Sequence, residues 1–274
     1  EKSAVINVLD KEYLGMGEEV GIFEKDLSTL FSRDTICVSS GTAAVQLAIQ
    51  ACDIGFGDEI LVPSMTYVAT FQAIKATGAE PIACDINEET CLIDLKDARS
   101  KISKKTKAII PVHYTGGVGN LNELYSFASK YKLRVIEDAA HAFGTKYQNK
   151  LIGSIGDIVC FSFDGIKNIT SGEGGCLVTS DKKILSMAKD IRLLGIENET
   201  EKKKLSDVVK EMKKELEKRS AAGEATFSHF SFDANLLLEQ EACFRSYSEK
   251  GKCRYRHYVH NAKEEELHGV KSGN

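Results

Sequence analysis

The chain is predicted to fold as an α/β protein. A three-layer α/β/α large domain on a mostly parallel central sheet is expected over residues 1–195, followed by an atypical, partly helical C-terminal segment over 196–274. Three observations predict this. Helix-period and strand-like segments alternate as far as residue 195, and such alternation requires crossover connections and hence parallel neighbours. All three prolines, at 63, 81 and 111, fall at strand starts or ends, where a missing N–H is tolerated. Beyond 195 charges dominate, and the alternation stops.

Taken in order, Thr35–Val38 reads as a strand entering a helix, with helical periodicity over Ala44–Cys52. Glu59–Val62 is strand-like, Thr66–Thr77 helical, Glu80–Asp85 a strand, Leu95–Ile102 a helix and Lys107–Val112 a strand. Helices are expected over Leu121–Tyr131 and Lys182–Leu194, and strands over Arg134–Glu137, Ile158–Phe163 and Cys176–Thr179. In Glu199–Arg219, Leu205, Val208, Val209, Met212 and Leu216 form one apolar stripe on a charged segment, the pattern of a narrow amphipathic helix. Ala221-Ala222-Gly223 breaks it, and the polar remainder has no clear period.

Composition narrows the function classes. At 274 residues, 42% hydrophobic and 28% charged, the chain has the make-up of an ordinary globular protein. A net charge of −4 lacks the clustered cationic excess that phosphate backbones demand, which argues against nucleic acid as a partner. Eight cysteines without a CxxC read as reduced thiols of a cytoplasmic protein rather than disulfides or zinc ligands. His257 and His260 with Cys253 lack a second matched cluster, so no metal is expected. No apolar run approaches the roughly 18 residues of a membrane span, and the start has no signal-peptide core. The absence of an initiator methionine suggests an N-terminus further upstream.

The chemistry is concentrated in a few residues. Lys167 stands alone in a Ser/Gly-rich loop, Phe161 to Gly175, between apolar strands, where an enzyme of pyridoxal phosphate (PLP) would carry its aldehyde. Asp138 ends the strand Leu133–Asp138, facing the crevice where ligands bind in open α/β sheets, and a carboxylate there can hold a pyridine nitrogen protonated. Thr35 to Ala44 runs from strand into helix through Ser39-Ser40-Gly41-Thr42-Ala43, whose free N–H groups and hydroxyls form a phosphate seat. Tyr67, just past a strand end, offers a flat ring to stack on another. Singly, each has a plainer explanation: a surface lysine, a helix cap, a capping turn. Together, in this order, they point to a PLP site.

In these same residues the chain resembles the DegT/DnrJ/EryC1/StrS sugar aminotransferases, PLP enzymes of the aspartate-aminotransferase-like fold type I. The resemblance spans residues 12–195 and rests on Ser40-Gly41-Thr42-Ala43-Ala44, Gly57-Asp58-Glu59, Pro63 to Thr70, Pro111-Val112-His113, Glu137 to Ala142, Gly153 to Asp157 and Phe161 to Gly175. It implies that Lys167 is the Schiff-base lysine and Asp138 the pyridinium partner. It further implies that Gly41, Thr42, Ala43 and Ser162 hold phosphate, that Tyr67 stacks on the ring, and that His141 lies beside the PLP hydroxyl. Lysine at 167, where a dehydrating branch has histidine, favours amino transfer. The implied substrates are glutamate and a nucleotide-linked keto sugar, as in polysaccharide and lipopolysaccharide biosynthesis, and the implied assembly is a homodimer. After 195 neither a Gly-Tyr-Asn-Tyr-Arg-like segment nor a small C-terminal domain is recognisable, so low turnover is expected if that tail is native.

Two other readings compete. One is a pseudoenzyme or scaffold that keeps the large-domain fold without turnover. The other is a dinucleotide-binding oxidoreductase: Gly116-Gly117-Val118-Gly119 follows a strand, and Glu137 lies about 20 residues on, the separation of a ribose-binding acid. Asn122, where the third glycine of that fingerprint belongs, counts against it.

Overall fold

A computed structural model describes residues 1–11 and 15–193, within one compact unit spanning Glu1–Gly195. The expected helix over Glu199–Arg219, and the irregular segment after it, lie outside the described residues. Helices α1 (Lys2–Asp10) and α2 (Glu18–Phe31) lead into strand β1 (Asp34–Val38) and helix α3 (Gly41–Ala51). Then come β2 (Glu59–Pro63), α4 (Val68–Ala76), β3 (Glu80–Cys84), α5 (Leu95–Ser100), β4 (Thr106–Ile109) and α6 (Leu121–Tyr131). The remaining elements are β5 (Arg134–Asp138), the hairpin β6 (Lys146–Tyr147) and β7 (Lys150–Leu151), β8 (Ile158–Ser162), β9 (Gly175–Thr179) and α7 (Lys182–Arg192).

Seven strands form one sheet in the order β1-β9-β8-β5-β4-β2-β3. The pairs β8–β5, β5–β4, β4–β2 and β2–β3 are parallel, while β9 is antiparallel to both β8 and β1. All strands except β9 therefore run the same way, as the alternation of elements predicts, and the carboxyl ends of β1, β2, β4, β5 and β8 share one edge.

Both faces are covered, which is why the strands read as continuous apolar runs instead of alternating ones. Successive residues go to opposite cores: Ile60, Val62, Ile136, Ile158 and Leu177 pack with Ala44, Ala48, Ile49, Ile74 and Ala188 of α3, α4 and α7. Leu61, Val135, Val159, Phe161 and Val178 pack with Leu27, Phe31, Ala98, Leu124 and Ala128 of α2, α5 and α6. Phe31 stacks on Phe161 with ring centroids 5.2 Å apart.

Several elements differ from the expectation. Helix α2 has its signal in Val20, Phe23, Leu27 and Phe31, spaced at three or four residues, with Glu18 and Glu19 favouring the positive end of the helix dipole. Helix α3 begins earlier than Ala44, because Ser40 caps it by accepting the Ala43 N–H at 3.1 Å. Strand β4 stops at Ile109, since Pro111 has no N–H to extend the ladder; Val112 rejoins by a bridge to Asp138. The β6–β7 hairpin was not foreseen and turns through Gln148 and Asn149, both at positive φ (49° and 65°).

Where β1 turns into α3, backbone lies on backbone. A Cβ added to Gly175 would come within 2.5 Å of the Ser40 carbonyl, and one on Gly41 within 2.8 Å of Ser162 Cβ. Gly175→Ala is expected to cost about 1–3 kcal/mol through overpacking against this turn, measured by urea unfolding. Gly21, inside α2 with nothing within 4 Å of an added Cβ, supplies the contrast: Gly21→Ala should stabilise by about 0.5–1 kcal/mol.

Candidate active site

At the shared strand edge a cavity of about 730 Å³ opens between the start of α3, the β2–α4 turn, the ends of β4 and β5, and the β8–β9 loop. Its lining brings together Gly41, Thr42, Tyr67, Asp138, His141, Ser162 and Lys167, seven of the eight residues singled out in the sequence. Ala43 is the exception. Its N–H is taken by Ser40 Oγ, and it faces a different hollow.

The geometry at each position follows from its element. The first N–H groups of a helix have no intrahelical acceptor, and with Ala43 satisfied by the cap, those of Gly41 and Thr42 remain at the cavity. Ser162 ends β8 directly against Gly41 and accepts the Asp164 N–H at 3.4 Å. Two amides, the Thr42 and Ser162 hydroxyls and the positive end of α3 make a donor-rich cradle suited to a phosphate dianion.

Asp138 is oriented on both sides. Thr70 Oγ1 donates to its Oδ2 at 2.8 Å, the Ala140 N–H donates to Oδ1 at 3.2 Å, and Thr66 Oγ1 lies 2.9 Å from Thr70 Oγ1. Thr70 and Thr66 were not singled out in the sequence. Their signal was position: Thr70 sits three residues past Tyr67 in the first turn of α4, and helix side chains lean back toward the N-terminus.

Lys167 lies half-buried in the loop between β8 and β9. Asp164 shapes that loop, its Oδ1 accepting the Ile166 N–H at 3.0 Å and its carbonyl the Lys167 N–H at 2.9 Å. Asn168 Nδ2 ties the loop to the Phe143 carbonyl at 2.9 Å. Tyr67, N-terminal to α4, is 76% exposed, a large apolar surface left open on the cavity wall. The His141 imidazole is held below the usual histidine range, first by partial burial, then by the Lys167 cation, with Asp138 opposing both.

The features that suggested a dinucleotide site serve packing. Glu137 is fully buried, accepting from Tyr125 Oη at 2.5 Å and lying 2.7 Å from His113 Nε2, so it is closed to a ribose. At Gly119, φ is +58° and an added Cβ would meet Leu92 at 2.5 Å. Among the described residues no cluster of three or more His, Cys, Asp or Glu side chains is arranged to hold a metal, and no helix is long and apolar enough to cross a membrane.

The chain is similar to known proteins in sequence and fold. A model of the DegT/DnrJ/EryC1/StrS aminotransferase family matches residues 1–235, running beyond the motifs that end near 195. DesV of S. venezuelae, solved in complex with a ketimine intermediate, is 33% identical, with a TM-score of 0.70 over 74% of this chain and 55% of its own. NtdA of Bacillus subtilis, solved with bound cofactor PMP, is 31% identical with a TM-score of 0.68, over 73% of this chain and 46% of its own. Spr1654 of Streptococcus pneumoniae, solved in PLP, PMP and apo forms, is 30% identical, covering 70% of this chain. The chain thus spans about half the length of the solved relatives it matches.

One consequence is testable without any ligand. Because the Lys167 cation helps hold the His141 imidazole down, Lys167→Met should raise its titration midpoint toward the ordinary range. Histidine NMR would show this, with the resonance assigned by its loss in His141→Gln. An unmoved or lowered midpoint would contradict the electrostatic contact.

Proposed function

The chain belongs to the DegT/DnrJ/EryC1/StrS aminotransferase family, and from that premise we propose that it is a PLP-dependent aminotransferase. In this reading it moves an amino group from glutamate to the keto group of a nucleotide-linked sugar. The observation that carries the reading is the convergence of Lys167, Asp138, Ser162 and the start of α3 on one cavity. Relatives solved with PMP, with a ketimine intermediate and, for DesI, with its TDP-sugar product support the cofactor and the substrate class.

The donor set fits the cofactor. Gly41, Thr42 and Ser162 would hold its phosphate, Asp138 its pyridine nitrogen, Tyr67 the face of its ring, and His141 its ring hydroxyl. When bound, pyridoxal phosphate supplies an aldehyde carbon that takes up and gives back an amino group, and a ring that accepts the electrons left by a departing proton. Lys167 Nζ is the amine that would hold the cofactor at its aldehyde, and it would also carry the proton, as general base and then general acid. The Asp138 carboxylate would face the ring nitrogen. Thr70 and the Ala140 N–H fix the carboxylate rotamer, so no reorientation is needed during the reaction. The close Gly41–Ser162 contact would keep the phosphate seat rigid and so fix the cofactor's far end relative to Lys167.

The same reading includes a homodimer. It is supported by Ile166, which lines the cavity while 88% exposed, apolar surface that a second copy would cover. Sedimentation at micromolar concentration should give twice the chain mass, and Ile166→Asp should shift it to the monomer.

Wild-type protein mixed with PLP and reduced with borohydride should carry the cofactor on the peptide containing Lys167, and amino transfer should alternate between two half-reactions. Lys167→Ala should lose both the adduct and the transfer; normal turnover without Lys167 would reject the assignment. Asp138→Asn is expected to keep PLP bound while slowing transfer about 10²-fold or more, since an amide cannot hold the ring nitrogen protonated. A wild-type rate would reduce Asp138 to a cap. A panel of nucleotide-linked keto sugars with glutamate identifies the acceptor.

A further inference from the structure

Cys37 and Cys176 are Cα partners on antiparallel β1 and β9. The ladder phase at this pair follows from hydrogen bonds on either side. On the outer edge of β1, the Cys37 N–H donates to Glu24 Oε1 at 2.8 Å and its carbonyl accepts from Arg192 Nη1 at 2.9 Å, so neither group faces β9. On the other side, Phe163 N–H donates to the Gly174 carbonyl at 2.8 Å, and the Phe161–Cys176 pair, two residues along, repeats that phase. The backbone groups of Cys176 therefore face β8. Cys37 and Cys176 form a non-hydrogen-bonded pair, in which Cα atoms approach to about 4.5 Å and side chains come closest. Both side chains enter the same core, on the α2 side of the sheet.

A disulfide needs Cα atoms about 4.4–6.8 Å apart with converging Cβ vectors, and a non-hydrogen-bonded antiparallel pair with both side chains in one core is the register that falls in this range. We infer that Cys37 and Cys176 are a disulfide-forming pair, an oxidative modification site that joins the edge strand β1 to β9 directly beneath the β1–α3 turn. Cys37, a half-buried residue that borders a hollow of about 470 Å³ beside Arg192, is the more accessible of the two and is assigned as the entry thiol. Cys176 is fully buried and acts as the resolving thiol. Among the other described cysteines, Cys52 and Cys160 lie in the opposite core, Cys84 is on the far edge strand, β3, and Cys91 is in the segment between β3 and α5.

With a small-molecule disulfide as oxidant the step balances. The Cys37 thiolate attacks the oxidant, forming a mixed disulfide and expelling one thiolate. The Cys176 thiolate then attacks the Cys37 sulfur and expels the second. Two protein S–H groups become one S–S bond, and the oxidant leaves as two thiols carrying both protons. Burial, then the Glu24 charge, push the Cys37 thiol up to about 12 against the opposing pull of Arg192. Closure is therefore slow at neutral pH and should speed up about tenfold per pH unit below that value.

The test treats the native full chain with oxidised glutathione at pH 7, 8 and 9, alkylates free thiols in denaturant, and maps peptides by mass. The expected result is one dominant cross-linked product joining the Cys37 and Cys176 peptides, two hydrogens lighter than the reduced pair. Its rate should climb about tenfold per pH unit, and its urea midpoint should lie above that of the reduced protein and return with dithiothreitol. Cys37→Ala, at the half-buried position and checked for native circular dichroism, should leave Cys176 unmodified. The inference is overturned if Cys37 persists as a glutathione adduct beside a free Cys176, if Cys37 pairs with another cysteine, or if both stay reduced at pH 9 while other cysteines react.

Discussion

The site depends on one close approach: the Ser40–Gly41 backbone resting on the Gly175 backbone and on Ser162. A helix N-terminus is useful to an anion only if the anion can reach it and if the helix cannot shift when charge arrives. The two glycines let α3 come down onto the ends of β8 and β9, and its buried face, Ala44, Ala48 and Ile49, then locks it against the sheet. The result is a fixed positive pole beside Ser162, supplied by backbone and short hydroxyls instead of a flexible cation.

Strand β5 separates two carboxylates by pleat alone. Glu137 and Asp138 are adjacent, so they point to opposite faces of the sheet. Glu137 goes inward, where complete burial demands partners, and Tyr125 and His113 meet that demand. Asp138 goes to the cavity, where Thr70 and the Ala140 N–H aim it while it stays partly solvated. The inner acid ties β5 to α6 and the segment after β4; the outer one is thereby held on a stiff support.

Much of this was legible in the sequence, because the signals were local. Apolar runs with prolines at their ends marked the sheet, and a Ser-Gly-Thr turn, a strand-end acid and a loop lysine marked the cavity. Features set by tertiary contact were not legible. The cap at Ser40 takes the Ala43 N–H, and that residue lines a different hollow from Gly41 and Thr42. Thr70 looked like a helical residue, and its bond to Asp138 spans 68 positions. Glu137 matched a ribose-binding spacing, yet only the fold reveals that its carboxylate is sealed from solvent. The antiparallel course of β9 left no trace either, because a strand buried on both faces reads the same in either direction.

That reversal has a consequence for how the lysine loop can vary. Both stems of the loop, Ser162 and Gly175, are paired residues at the same sheet edge, so the loop is a closed hairpin tip and not one leg of a crossover. Residues added to or removed from 164–173, beyond the buried Phe163 and its ladder partner Gly174, would change the reach and stiffness of the arm bearing Lys167 while leaving strand register and the packed residues of both cores in place, since closing a loop a few residues longer costs only tenths of a kcal/mol, by the roughly 0.6 kcal/mol per doubling of length. The amine's local concentration at the cavity is thereby separable from the stability of the fold, a modular tether on an invariant frame.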